Sequence, residues 1–473
     1  MNPKAPRPSR PDGVLRALSA ALPAPARALA MALALGLVPA ARAQTNDLSL
    51  ADTFPPNTLR SLLVPRDAWR PFPKAEDRTG WDRLPAEARQ GLIRAGEQAL
   101  DTPLPPLPAT LYLGYAREGN RSRFEGPYFD RRRRLHRLVL AECAEARHRF
   151  RDAIADTLWA ICEESTWCVP AHVGGQKAGV GLPDTDEPIL DLFAAQTGSS
   201  VAWTLYLVGP ELDAVSPQLR RRALAEVNRR VLANYLERSY GWMGFGSRNP
   251  ANRPNNWNPW INGNVLTAAL LLEPDPERRI ALVHRVLGSL DRFLQPYPSD
   301  GGCDEGPGYW SRAGGSVFDN LDLLHAATGG RLDVFGHPLI AEIGRFIHRV
   351  HIAGDWFVDL GDCSARLGID RGVVFRYGER IGDPALRAFG SSGATLDDLV
   401  AESGGLDLGR GLRTLADLPA ILAQADQPPA ARARRLARQR RPPDDDRPRP
   451  GRHHPRPLRR RLGRAQRPKP QPQ

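Results

Sequence analysis

The sequence predicts a mainly α fold, a long run of helical hairpins forming an α/α array or toroid. Three observations carry this expectation. From Phe129 onward apolar residues recur at spacings of three and four, the period of a helix with one buried face. Loops rich in Gly and Pro separate those stretches. Strand signals are almost absent, "DWFVDL" at 355–360 being the one tempting run.

Taken in order, residues 1–43 have the make-up of an export signal. The apolar run "ALAMALALGLVPA" at 28–40 is too short to span a bilayer, Arg10, Arg16 and Arg27 precede it, and "ARA" stands before Gln44. This predicts a periplasmic or secreted protein with no membrane attachment after cleavage. Residues 44–125 form a Pro-rich lead-in with one helix near Ala86 to Ala99.

Residues 126–427 hold the helical body. Leu135, Leu138 and Val139 share one face, and Phe150, Ile154, Leu158 and Ile161 another. A helix follows Pro188, and the next carries Leu219, Leu224, Val227, Val231 and Tyr235. Ser216-Pro217, Asn258-Pro259 and Asp275-Pro276 predict three helix starts. In each a capping side chain precedes a Pro at the first helical position, where its missing N–H costs nothing. Further helices are expected at 311–327, 338–350 and 373–389.

Residues 428–473 are basic, Pro-rich and too poor in apolar side chains to fold alone. They have the character either of a disordered basic arm or of a GC-rich coding sequence translated out of frame, the second being favoured by the abruptness of the change. The tail also explains the overall charge of +12 and pI near 9.9. Without residues 1–43 and 432–473, 43 basic residues face 49 acidic ones, a net of −6. The body is mildly acidic, so nucleic-acid binding is not expected of it. The five cysteines show no C-x-x-C pair and no zinc spacing. Small buried thiols are expected, with a Cys162–Cys168 bridge as the alternative.

Three segments carry candidate chemistry. In "RPNNWNPWINGN", 253–264, Asn258 is the expected helix cap, while Asn255 and Asn256 have no helical task. Their amides donate and accept without charge, and Trp257 and Trp260 offer flat apolar faces beside them. That combination suits sugar rings, and donors at a helix start suit a carboxylate. The competing explanation is a pair of core tryptophans among turn-forming asparagines. In "PSDGGCDEGPGYWSRAGG", 298–315, Tyr309 precedes an expected helix at Ser311, whose dipole, with Arg312, favours phenolate. Asp304 and Glu305 stand close enough to orient it. In "ESTWCVPAHVGGQKAGVGLPDTDEP", 164–188, His172 is the only imidazole and Gln176 lies four residues on. No H-E-x-x-H, G-x-S-x-G or P-loop pattern occurs, so no metal or cofactor is identifiable.

"NNWNPWINGNVLTAALLLE", "YPSDGGCDEGPGYWSRAGGS" and "WCVPAHVGGQKAGVGLPD" together resemble the heparinase II/III-like family of polysaccharide lyases and its bacterial relatives, over roughly residues 60 to 425. The resemblance implies an incomplete (α/α) toroid followed by a C-terminal β-sandwich. It also implies β-elimination of an acidic polysaccharide: an Asn neutralises the C5 carboxylate and a Tyr moves the proton. Carried over by motif, Tyr309 is that Tyr, and the Asn is Asn255 or Asn256. His172 joins these as a catalytic candidate, with Trp257, Trp260, Asn258, Glu305, Arg312 and Gln176 as substrate-binding ones. The β-sandwich, with a metal in some members, is expected where the basic tail stands, so it is missing or replaced; His453 and His454 do not copy its motif. Two alternatives stay open: a truncated carbohydrate-binding remnant, and a toroid glycoside hydrolase using Asp304 or Glu305 with Asp184 or Asp186. A polyanion cleft would require Arg248, Arg253 and Arg312 to converge. Oligomeric state is left open.

Overall fold

The computed structural model describes residues 47–246 and 253–426. The export signal, its cleavage site, Arg248 and the basic tail lie outside the described residues.

The described chain is mainly helical. Thirteen helices carry most of it: α1 (Ala86–Asp101), α2 (Ser122–Glu145), α3 (Arg151–Glu163), α4 (Leu192–Val215), α5 (Pro217–Val227), α6 (Trp257–Leu272), α7 (Pro276–Leu294), α8 (Gly314–Ala327), α9 (Pro338–Arg349), α10 (Arg371–Arg380), α11 (Pro384–Ser391), α12 (Leu396–Ser403) and α13 (Leu408–Ala425). A two-stranded antiparallel ribbon, β1 (His351–Ala353) with β2 (Trp356–Phe357), is all that "DWFVDL" contributes to.

The cap chemistry holds at two of the three expected starts. Ser216 accepts from Gln218 N, and Asp275 accepts from Glu277 N and Arg278 N. At α6 it does not, because Asn258 lies inside the helix with its side chain turned into the core. The expected helix over 373–389 is two helices, since Asp383 accepts from Ala385 N and Leu386 N and starts α11 at Pro384. α5 runs through a π turn (Asn228–Leu232) into Ala233–Glu237. α4 kinks at Val208, two residues before Pro210, where the ring removes a helical hydrogen bond.

Neighbouring helices alternate in their packing. α2, α4, α6, α8, α10 and α13 touch in that order, and α13 also touches α4. α1 packs on α2 and α12, α5 on α4, α7 on α6, and α9 on α8. α4 and α6 are therefore buried nearly all round, as Ala194 to Val208 and Ile261 to Leu272 require. The lead-in joins the same core: α1 buries Ala88, Leu92, Gly96 and Ala99 on one face. A Cβ at Gly96 would stand 2.3 Å from that of Ala141, so glycine is what lets α1 approach α2. All five cysteines are free thiols, four of them buried, and no Cys162–Cys168 bridge forms.

Candidate functional site

The segments preceding α4, α6 and α8 meet at one place. Asp191 caps α4 by accepting from Ala194 N at 2.8 Å, and its other oxygen lies 2.7 Å from His172 Nδ1. The His172 ring sits 4.6 Å from the Trp257 ring at the start of α6 and is stacked 5.8 Å from Phe193. Phe193 meets Trp260 edge-on at 5.7 Å. The Arg312 guanidinium covers the opposite end of this cluster, 4.4 Å from the Trp260 centroid.

The loop before α8 is tied to the start of α6. Asn256 donates from Nδ2 to Glu305 Oε2 at 2.8 Å and from its backbone N–H to Glu305 Oε1 at 3.2 Å. Arg253 pairs with the neighbouring Asp304. Burial raises the Glu305 carboxyl above its usual range. Gly306 holds φ +85, and a Cβ there would meet Leu360 O at 1.9 Å, so only glycine permits the passage toward Tyr309.

The asparagines separate into distinct tasks. Asn255 is exposed, and its Oδ1 accepts from Trp257 N, so it does the capping expected of Asn258. Asn258 is fully buried and donates to Trp242 O, Ser289 O and Ser289 Oγ. It pins α6 to α7 and offers nothing to a ligand, which corrects both roles expected of it. Asn262 continues that buried network with Asn258, Ser289 and Tyr235. Asn256 is 3% exposed and one helical turn before Trp260, so it shares the Trp260 side of α6.

Gln176 is also corrected. It donates both amide N–H groups to Gly179 O and Leu182 O and accepts from Asp184 N, so its side chain shapes its own loop. Tyr309 is not at the start of the helix over 311–327. It lies within a separate turn, Pro307–Trp310, and its carbonyl accepts from Arg312 N and Ala313 N. The side chain is 38% exposed. Of the carboxylates weighed for hydrolysis, Glu305 is bound to Asn256 and Asp304 to Arg253, while Asp184 and Asp186 line a groove with Lys177, Glu187 and Arg238.

Beside Trp260 the N-terminal halves of α4, α6 and α8, with α10 and α13, line a partly open pocket with room of about 70 Å³. Trp203, Trp260, Asn264, Asp319, Arg410 and Arg413 are among its lining. Room of that size suits a few waters rather than a sugar ring. Arg410 is the hub here. It holds Asp319 at 2.6 Å and Asp370 at 2.7 Å, donates to Ser311 O at 2.7 Å, and so anchors the turn that carries Tyr309 and Arg312. Burial pushes Asp319 up to about 6, even against Arg410. Arg312 has no such partner: its Nη1 is buried and unbonded, and burial, followed by the Arg410 charge, lowers its pKa.

Asp191, Phe193 and Arg410 escaped the sequence reading. Asp191 had a signal, an Asp before an apolar run, but its bond to His172 spans 19 residues. Among the described residues no group of His, Cys, Asp and Glu is arranged to hold a metal, and no helix is long and apolar enough to cross a membrane. Compared with known proteins, the chain matches no family model and no curated sequence.

Proposed function

We propose that the chain binds a uronic-acid polysaccharide at the cluster of His172, Trp257, Trp260 and Arg312, with Asn256 and Tyr309 on the adjoining segments, and cleaves it by β-elimination as an exported lyase of the heparinase II/III-like kind. In this reading the helices form an incomplete (α/α) toroid with α2, α4, α6, α8, α10 and α13 as its inner ring. The order of their contacts, and the return of α13 to α4, support it.

The observation that carries the reading is Arg312. A half-buried guanidinium on an indole face, with its buried Nη1 unbonded, gains strongly from an anion brought beside it. A uronate supplies that carboxylate and, in its ring, an apolar face for Trp257 or Trp260. In the reaction a base removes the C5 proton, the electron pair forms the C4–C5 double bond, the C4–O bond breaks, and the leaving oxygen takes a proton. Charge builds on the carboxylate as the proton leaves, where Arg312 and the second amide N–H of Asn256 stabilise it. His172 and Tyr309 divide the base and acid roles.

The test is incubation with pectate, alginate, hyaluronate and heparan-type chains. New near-ultraviolet absorbance with chain shortening is the expected result. Shortening without absorbance means a hydrolase, and binding without shortening means a carbohydrate-binding protein.

A further inference from the structure

We infer that Asp191 is the positioning residue that makes His172 the proton acceptor, by holding its ring as the Nδ1–H tautomer with Nε2 free. The inference rests on the reading above for its reaction, but not for its geometry.

Asp191 is 1% exposed and its carboxylate is fully committed. One oxygen accepts from Ala194 N at the start of α4, which fixes the carboxylate to a rigid element, and the other faces Nδ1 at 2.7 Å. A carboxylate accepts and cannot donate, so the proton of neutral His172 belongs on Nδ1. The ring plane is set independently by the stacked Phe193 and the tilted Trp257. Nε2 is left as the basic atom.

The surroundings do not supply Asp191 with a rival cation. Tyr112, Tyr128 and the Cys168 thiol face it, and burial raises all three, so they stay neutral. Arg132, which stacks on Tyr128, is paired with Glu164 at 2.5 Å. Asp191 thus acts through His172 and touches no substrate. Tyr309, 38% exposed, is left for the leaving oxygen.

The test uses the whole protein, ¹⁵N-labelled at histidine. Long-range ¹H–¹⁵N spectra of the wild type should show His172 protonated at Nδ1 and bare at Nε2; the opposite tautomer overturns the inference. With a cleaved glycan in hand, Asp191→Asn should lower kcat by about 100-fold or more with KM little changed, the scale of a lost acid–base group. Asp191→Glu should recover part of kcat. Equal losses in both variants overturn the inference. Should Asp191→Asn not fold, the wild-type tautomer decides, together with the loss of kcat in His172→Gln. If no glycan is cleaved, the lyase reading fails while the tautomer still decides the inference.

Discussion

Arg312 lies over the Trp260 ring at 4.4 Å with its Nη1 buried and unbonded. Every other guanidinium at the hub beneath it is matched to carboxylates: Arg410 to Asp319 and Asp370, Arg376 to Asp322 and Asp417. Asp370, Asp407 and Asp319 act on the Arg312 charge from a distance, but among the described residues none is in ion-pair contact with it. Arg312→Ala should weaken uronate binding about tenfold or more, equivalent to roughly 1.4 kcal/mol, while thermal stability changes little because no ion pair is broken. Isothermal titration with the bound glycan, beside a melting curve, separates the two. A large fall in Tm with unchanged affinity would make Arg312 a packing residue.

Tyr309→Phe removes one oxygen from a side chain that is 38% exposed and whose hydroxyl makes no hydrogen bond within the described chain. Stability should stay within about 0.5 kcal/mol of wild type. Lyase turnover should fall about 100-fold or more, as for loss of a proton-transfer group. Retained turnover assigns the proton steps to other groups.

Asn255 and Asn258 should part company on mutation. Asn258→Ala removes the buried amide bonds to Trp242 O, Ser289 O, Ser289 Oγ and Asn262, a loss of about 2–3 kcal/mol visible in urea unfolding. Asn255→Ala loses an exposed cap bond to Trp257 N and should cost about 1 kcal/mol or less. Equal costs would mean that the two amides do not divide the work in this way.

Glu402 on α12 supplies a pH test. Burial, then the negative charge of Asp370, pushes its carboxyl from 4.5 up to about 7, against Arg371 and Arg410. A folded-state value above the unfolded one favours the folded protein fully below pH 4.5, and that contribution is lost as pH rises through about 7. Glu402→Gln should therefore raise stability by about 1–3 kcal/mol near pH 8 and leave it unchanged near pH 4. Melting curves across that range check it, and a constant difference would rule out titration as the cause.

Local chemistry made much of the fold legible. Ser216 and Asp275 could be recognised as caps because each acts on N–H groups two or three residues away. Asn258-Pro259 has the same spelling, yet Ser289, 31 residues on, claims its side chain. Asn256 stood out as an asparagine without a helical task; its partner Glu305 is 49 residues distant and was out of reach. Leu408, Leu412, Leu415, Leu418 and Ile421 give α13 a helical period. Its purpose lies in Arg410, whose partners sit on other helices.

Arg410 also sets a clock. Its bonds reach back 40 residues to Asp370, 91 to Asp319 and 99 to Ser311. A ribosome therefore completes the Tyr309 turn long before it makes the residue that braces it. A nascent chain stopped anywhere between 371 and 405 already contains Asp319 and Asp370 but has no Arg410 to pair with them. On the proposed function, the site is complete only when the last helix of the body arrives.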